Sequence, residues 1–184
     1  MRNALQKKSM DSSNSAAAQA NLGLDRDIFM RTLMGELSGT LQDIVGIEQA
    51  SSFISVVGKN VGDYLNTGYK NALALENLDQ STVSDVLVDL KRRIEGQFYV
   101  IEQTDDKIVF GNKACPFGDK VKDRPSLCMM TSNVFGTIAS DNLGYAKVSL
   151  EETIAKGDAG CKVTVFIRTT EESEAADGRE YFGD

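Results

Sequence analysis

Histidine is absent from the 184-residue sequence. Ser/His/Asp triads, Cys/His dyads, histidine-ligated haem and histidine-rich metal sites all require an imidazole ring. None of these sites can be built from this chain alone. The soft ligands that remain are the thiolates of three cysteines, which favour zinc or an iron–sulfur centre over magnesium or calcium.

Long apolar runs and excess positive charge are also missing. No run approaches the roughly 20 apolar residues that a membrane-spanning helix needs, and no apolar signal region precedes the N-terminal Ser- and Ala-rich tract. The formal charge of −7 repels phosphate backbones and anionic lipid surfaces. We therefore expect a cytoplasmic protein with no nucleic-acid and no membrane partner. In a reducing compartment, an odd number of cysteines favours ligation or burial over disulfides.

Hydrophobic periodicity divides the chain into helices followed by strands. Helical spacing predicts three helices, with caps at Asp25 for the first and Asp79 or Ser81 for the third. A β-hairpin, a fourth helix starting at Pro125 and two more strands follow. This order predicts an α+β domain with helices packed on one face of a four-stranded antiparallel sheet. The predicted divisions are a disordered N-terminal tail at 1–22, a folded domain at 23–170 and an acidic C-terminal tail at 171–184.

The first two helices carry apolar stripes beside strips of small residues. The stripes comprise Phe29, Leu33, Leu37, Leu41 and Ile44 in the first helix, and Phe53, Val57, Val61 and Leu65 in the second. The pairs Gly35/Gly39 and Gly58/Gly62 permit close approach of another backbone. This pattern favours a tight helix crossing within the fold, and a dimer interface stays open as the alternative.

A basic cluster ends the third helix. Cations are favourable there because the helix dipole is negative at its C-terminus. We therefore interpret Lys91, Arg92 and Arg93 as a solvated last turn rather than an anion site.

The three cysteines lie at the ends of predicted elements, which suggests a site. Cys128 follows the predicted cap Ser126, where free N–H groups and the helix dipole stabilise a thiolate. Cys115 lies in a turn, and Cys161 opens a strand on its core face. Their spacings match no zinc-finger or ferredoxin pattern. From the residues alone, metal ligation, inert burial and a reactive redox thiol at Cys128 all stay open.

Three thiolates would leave a fourth coordination position. It is open to water, to an exogenous ligand or to one of three carboxylates, and this arrangement suits sensing. The carboxylate candidates are Asp119, Glu152 and Asp158.

Three segments together resemble the methanogen output domain family of bacterial and archaeal signalling proteins. They are 115–119 (Cys-Pro-Phe-Gly-Asp), 125–132 (Pro-Ser-Leu-Cys-Met-Met-Thr-Ser) and 154–161 (Ile-Ala-Lys-Gly-Asp-Ala-Gly-Cys), and the likeness extends over roughly residues 27 to 170. More distantly, 157–161 and the following strand look like the four-vinyl-reductase domain. The α+β fold of that domain is shared with subunits of a vesicle-tethering complex.

The wider group implies a ligand-binding site. Its phenol-responsive sensor domains bind an aromatic effector beside a cysteine-ligated zinc and mediate dimerisation, and Cys128 and Cys161 match ligands of that zinc by position. The group's further glutamate and cysteine ligands are replaced here by Leu150 and Thr153, so Cys115 substitutes or the metal differs.

With this resemblance, the leading hypothesis is a non-enzymatic sensory or regulatory signalling domain at 23–170. It would bind zinc or an iron–sulfur cluster through Cys115, Cys128 and Cys161. A small apolar ligand, a homodimer and a signalling partner protein are expected with it, and output would be a rearrangement of the dimer. The alternatives are a thiol-dependent enzyme using Cys128, and an interaction module in a larger assembly with packed cysteines.

Overall fold

The computed structural model describes residues 16–183, which fold into six α-helices and five β-strands. The helices are α1 (Ala16–Gln19), α2 (Arg26–Val45), α3 (Ile47–Leu73), α4 (Gln80–Arg93), α5 (Cys128–Leu143) and α6 (Glu171–Ala175). The strands are β1 (Phe98–Gln103), β2 (Lys107–Asn112), β3 (Tyr145–Glu152), β4 (Cys161–Phe166) and β5 (Arg179–Phe182). Short 3₁₀ turns cover Gly118–Val121, Pro125–Leu127 and Ile154–Lys156. Most of the tail predicted at 1–22 lies outside the described residues.

All strand pairs are antiparallel, and the sheet order is β1-β2-β4-β3-β5. The predicted α+β architecture is confirmed, but the sheet has five strands rather than four. The fifth strand comes from the segment 171–184, which the sequence predicts to be an acidic tail. Here α6 is fixed by a capping box between Thr170 and Ser173, and β5 pairs with β3. β5 is missed because four largely exposed residues give no alternating pattern.

The main core lies between the sheet and the helices α4 and α5. Phe135 of α5 makes edge-to-face contacts with Phe98 and Phe110 of the sheet, with ring centroids 5.5 and 5.4 Å apart. α3 packs on the far side of α5, and α2 packs on α3. α6 lies against the opposite face of the sheet, where the Lys147 ammonium donates to the Ser173 carbonyl at 2.7 Å.

The predicted helix starts at Asp25 and Asp79 are confirmed. The carboxylates of these residues accept hydrogen bonds from the backbone N–H groups of Ile28 and Thr82. The prediction for the fourth helix is wrong in detail, because a 3₁₀ turn precedes α5 and Cys128 is its first residue. Ser126 is not a cap, since its buried hydroxyl bonds the Ser38 hydroxyl at 2.8 Å.

Mostly small residues form the buried faces of α2 and α3, although Ile54 is buried and Leu65 of the second stripe packs against the main core. An ideal Cβ at Gly58 would lie 2.7 Å from Asn133 Cβ of α5, so this glycine lets the two helices cross closely. On α2, Gly35 and Gly39 instead meet Lys120 and Arg124 of the loop before α5. Many stripe residues are exposed to solvent: Phe29, Leu33, Leu37, Ile44, Phe53, Val57 and Val61.

None of the helices in residues 16–183 combines the length and the apolar character needed to cross a bilayer.

Candidate functional site

Cys115, Cys128 and Cys161 line one cavity. The cavity lies between two groups of packed side chains. Cys161 contacts the main core, whereas Cys115 and Cys128 contact a smaller cluster built around Val121, Leu127 and Ala155. The space open to the centre of a water molecule is about 30 Å³, enough for an ion or one or two waters. The structure therefore brings together all three cysteines that the sequence singles out.

Strand pairing positions Cys161. It opens β4 opposite Asn112, the last residue of β2. The Asn112 side-chain amide donates a weak hydrogen bond to Cys161 Sγ over 3.8 Å, and its carbonyl oxygen accepts from the backbone N–H groups of Gln97 and Ala114. Asn112 thus ties the start of the Cys115 loop to the sheet and points its amide at the thiol.

Turns position the other two cysteines. The Cys115 carbonyl accepts from the Gly118 N–H at 2.9 Å, and the Phe117 N–H faces the Cys115 sulfur. Cys128 is fixed as the first residue of α5 by the preceding 3₁₀ turn. Both side chains are half-buried.

Burial controls the chemistry of these thiols. Burial, together with a smaller effect of the neighbouring cysteines, raises the pKa of Cys128 to about 12. Burial also raises the pKa of Cys115. Desolvation of the anion therefore works against the thiolate that the start of the helix is expected to stabilise at Cys128.

Thr153 supplies a polar atom without a partner. Its side chain lines the cavity and is 3% exposed, and its Oγ1 has no hydrogen-bond partner among the described residues. The hydroxyl faces Cys128, and this contact, although outside normal hydrogen-bond geometry, partly offsets the effect of burial on the thiol pKa. A buried hydroxyl that lacks a well-formed hydrogen bond can bind a ligand or water.

Lys91 places a positive charge beside the cavity. It is only 5% exposed, and its ammonium donates to Thr131 Oγ1 at 2.7 Å. The ammonium lies 5.2 Å from the ring centroids of both Phe98 and Phe135. Burial lowers the pKa of Lys91 to about 8, although the charges of the three cysteines act in the opposite direction. The interpretation of Lys91 as solvated is wrong, whereas Arg92 and Arg93 are exposed and pair with Asp89.

The carboxylates considered for a fourth ligand lie elsewhere. Asp119 pairs with Lys122 at the surface, Glu152 is exposed, and Asp158 accepts from the Thr153 N–H at 2.7 Å. None of the three lines the cavity.

The donor types in the cavity fit a thiophilic metal, but their present placement is not a closed coordination site. Three thiols and an unpartnered hydroxyl match the ligand preferences of zinc and of iron–sulfur clusters. Across residues 16–183, however, no three Cys, Asp or Glu side chains stand close enough together to hold a metal ion. The three cysteine side chains would have to rotate to bring their sulfur atoms within coordinating distance of a bound metal.

The methanogen output domain 1 family matches residues 33–166. The chain belongs to this family. The match includes all three cysteines, Lys91 and Thr153, so the cavity lies wholly within the family domain. A comparison with curated proteins found no significant match.

Two solved structures show how widely the fold is shared. Subunit 3 of a trafficking protein particle complex from Naegleria fowleri, covalently bound to palmitic acid, superposes with a TM-score of 0.59 at 12% identity. That superposition covers 85% of this chain and 99% of the other. The phenol-responsive sensory domain of the transcription activator PoxR, solved with phenol, superposes with a TM-score of 0.60 at 15% identity and covers 79% and 78% of the two chains. At these identities the likeness establishes the fold.

Proposed function

We propose that the chain is a non-enzymatic sensory or regulatory domain of a signalling protein, and that the cysteine cavity is its input site. The observation that carries this proposal is the convergence of Cys115, Cys128 and Cys161 on one cavity from three separate elements. Membership of an output domain family and a fold shared with a phenol-responsive sensory domain support a signalling role.

The occupant that the side chains favour is a zinc ion or an iron–sulfur cluster held by the three thiolates. Metal binding would displace the thiol protons that burial now retains, because a bound cation stabilises thiolates far more than the protein does alone. The Thr153 hydroxyl, a water or an exogenous group would complete the coordination. Zinc supplies structural cross-linking of the three elements, whereas a cluster adds sensitivity to redox state or oxygen.

A thiol-dependent enzyme is a weaker proposal. A nucleophilic cysteine needs its thiolate populated near neutral pH, and the raised pKa values of Cys128 and Cys115 work against this. No histidine is available as a base.

Occupancy of the cavity can reach the rest of the domain because the site joins separate elements. β2, β4, α5 and the loop between β2 and α5 all contribute a cavity residue. Drawing the three thiols together would move the loop that also packs against Gly35 and Gly39 of α2.

We propose that α2 and α3 form the interface of a homodimer. The movement of the loop would then alter how the two copies pack, and a signalling partner protein would recognise the change. A small apolar ligand would bind between helices and sheet only if side chains around the cavity moved apart.

Metal content of anaerobically purified protein tests the proposed input site. We expect either one zinc per chain without colour, or an absorption band at about 320–420 nm with iron and acid-labile sulfide, as expected of cysteine-ligated clusters. Each of Cys115→Ser, Cys128→Ser and Cys161→Ser should lose most of the bound metal, since each thiolate is a ligand.

Val121→Ala is the matched control. Val121 lines the same cavity and is 2% exposed, but it has no donor atom. This variant should lose stability by about 1.5–3 kcal/mol yet retain its metal. Colourless, metal-free wild-type protein would contradict the proposal and favour an interaction module with packed cysteines.

A further inference from the structure

Lys91 is a buried charge for which the described residues provide no anionic partner. Its side chain is 5% exposed, and among residues 16–183 no carboxylate forms an ion pair with it. Removing an ammonium from water without a counterion is expensive, and such charges are rare in protein interiors. The groups that do act on this charge are Cys115, Cys128 and Cys161.

The contacts of Lys91 compensate only part of this cost. Thr131 accepts one of the three ammonium hydrogens, and the rings of Phe98 and Phe135 face the charge at 5.2 Å. Cation–π contacts are worth about 0.5–2 kcal/mol each, whereas a buried unpaired ion costs several kcal/mol. Thr131 and Phe98 also line the cysteine cavity, so the charge lies directly behind its wall.

We infer that Lys91 is the built-in countercharge of the cysteine cavity and makes the site selective for a bound group that carries one net negative charge together with its thiolates. The inference rests on the function proposed above. A divalent zinc ion held by three thiolates has this net charge and is small enough for the cavity. With the ammonium of Lys91, the buried site becomes neutral, and the electrostatic cost of closing the cavity falls.

This charge balance explains why a lysine occupies the buried side of α4. Its neighbours Arg92 and Arg93 are exposed and bind Asp89, so the helix end has other cations for its dipole. Lys91 instead donates to Thr131 at the cavity wall, where its charge attracts three thiolates more strongly than three neutral thiols.

Zinc affinity of reduced, metal-free protein tests the inference. Zinc is titrated in competition with a chromogenic chelator into wild type, Lys91→Met, Lys91→Arg and the control Lys122→Met. Lys122 is an exposed lysine of the loop before α5 and pairs with Asp119. We expect Lys91→Met to weaken zinc binding on the order of tenfold to a hundredfold, because one unit charge is lost beside the thiolates. Lys91→Arg and Lys122→Met should stay within a few-fold of wild type.

Unfolding of the metal-free variants provides the second readout. If Lys91 served only the stability of the fold, Lys91→Met would lower the unfolding midpoint and leave zinc affinity unchanged. A countercharge predicts the reverse, since removing an unpaired buried charge leaves the metal-free midpoint unchanged or higher. Should Lys91→Met not fold, Lys91→Gln removes the charge while keeping a donor for Thr131, and the same criteria apply.

The outcomes separate the two proposals. Zinc binding by wild type with equal affinity in Lys91→Met overturns the countercharge and leaves the metal site standing. Failure of wild type to bind zinc or a cluster overturns both.

Discussion

At the scale of single residues, the cavity brings together polar groups whose burial is energetically unfavourable. Burial favours protonated thiols at Cys128 and Cys115, an ammonium at Lys91 remains without a carboxylate, and the Thr153 hydroxyl has no partner among the described residues. Under the proposed function, each of these costs would be relieved by one event, the binding of a thiophilic cation that ionises the thiols. Perturbed groups gathered at one place are typical of functional sites.

Replacement of Thr153 by valine tests whether its buried hydroxyl destabilises the metal-free fold. Valine has nearly the same shape but lacks the unpartnered Oγ1. Metal-free Thr153→Val should be about 1 kcal/mol more stable than wild type in chemical denaturation, because the buried polar atom no longer has to be desolvated.

Thr164→Val is the control for this prediction. Thr164 is also 3% exposed, but its hydroxyl donates to Glu151, so valine should destabilise the protein there. Equal losses of stability in both variants would show that the Thr153 hydroxyl is satisfied in solution.

The sequence identifies the cysteines but not the two polar groups beside them. Cys115, Cys128 and Cys161 stand out because they occur at element ends in a chain without histidine. Lys91 looks like a solvated helix end because it adjoins Arg92 and Arg93, and its burial depends on how α4 rotates against the sheet. The resemblance places Thr153 where the wider group has a cysteine ligand, but it does not reveal the unpartnered hydroxyl, which depends on the turn that Asp158 fixes around the Thr153 backbone.

At the scale of elements, the sequence predicts where helices begin better than which way they face. Asp25 and Asp79 are local caps, and their effect does not depend on tertiary packing. The faces of α2 and α3 depend on their neighbours, and here close backbone approach at small residues replaces the packing of large side chains. β5 requires an existing edge on β3 before four residues can pair with it, so pattern alone does not reveal it.

Alanine substitutions in α3 test the role of its small face. Gly58→Ala should destabilise the fold by about 1–3 kcal/mol, because the new methyl group would meet Asn133 Cβ 2.7 Å away and push α3 from α5. Thermal or denaturant unfolding followed by circular dichroism measures the change.

Gly68 in the same helix provides the matched control, since a Cβ there meets no atom within 4 Å. Gly68→Ala should stabilise the protein by up to about 1 kcal/mol through helix propensity alone. Stabilisation by both substitutions would show that a methyl group at position 58 fits between α3 and α5.

At the scale of the whole molecule, the outer helices expose apolar surface that a partner would be expected to cover. Phe53 is 59% and Ile44 is 75% exposed, although both occupy positions of an amphipathic stripe. The fold does not use these apolar side chains for its own packing, because mostly small residues form the inward faces of the two helices. A second copy of the chain is the partner that the signalling proposal calls for.

A charge introduced at an exposed apolar residue of α3 tests this homodimer. Phe53→Glu should convert a dimer to a monomer, because burying the carboxylate in an apolar seam is unfavourable. Light scattering coupled to size-exclusion chromatography measures the mass. Ile101→Glu on β1, where the wild-type side chain is 53% exposed, is the control and should leave the dimer intact. Wild-type protein of monomeric mass throughout the micromolar range would rule out a stable dimer.

The central claim is that three thiols from separate elements act as one metal-binding site. Alkylation of anaerobically purified protein, counted by mass spectrometry before and after a strong chelator, tests it directly. The account predicts that Cys115, Cys128 and Cys161 are protected together and are alkylated together once the metal is removed, with labelling carried out at alkaline pH because burial raises the pKa values of Cys115 and Cys128. Unequal labelling that the chelator does not change would contradict it, because the thiols would then be protected by packing alone.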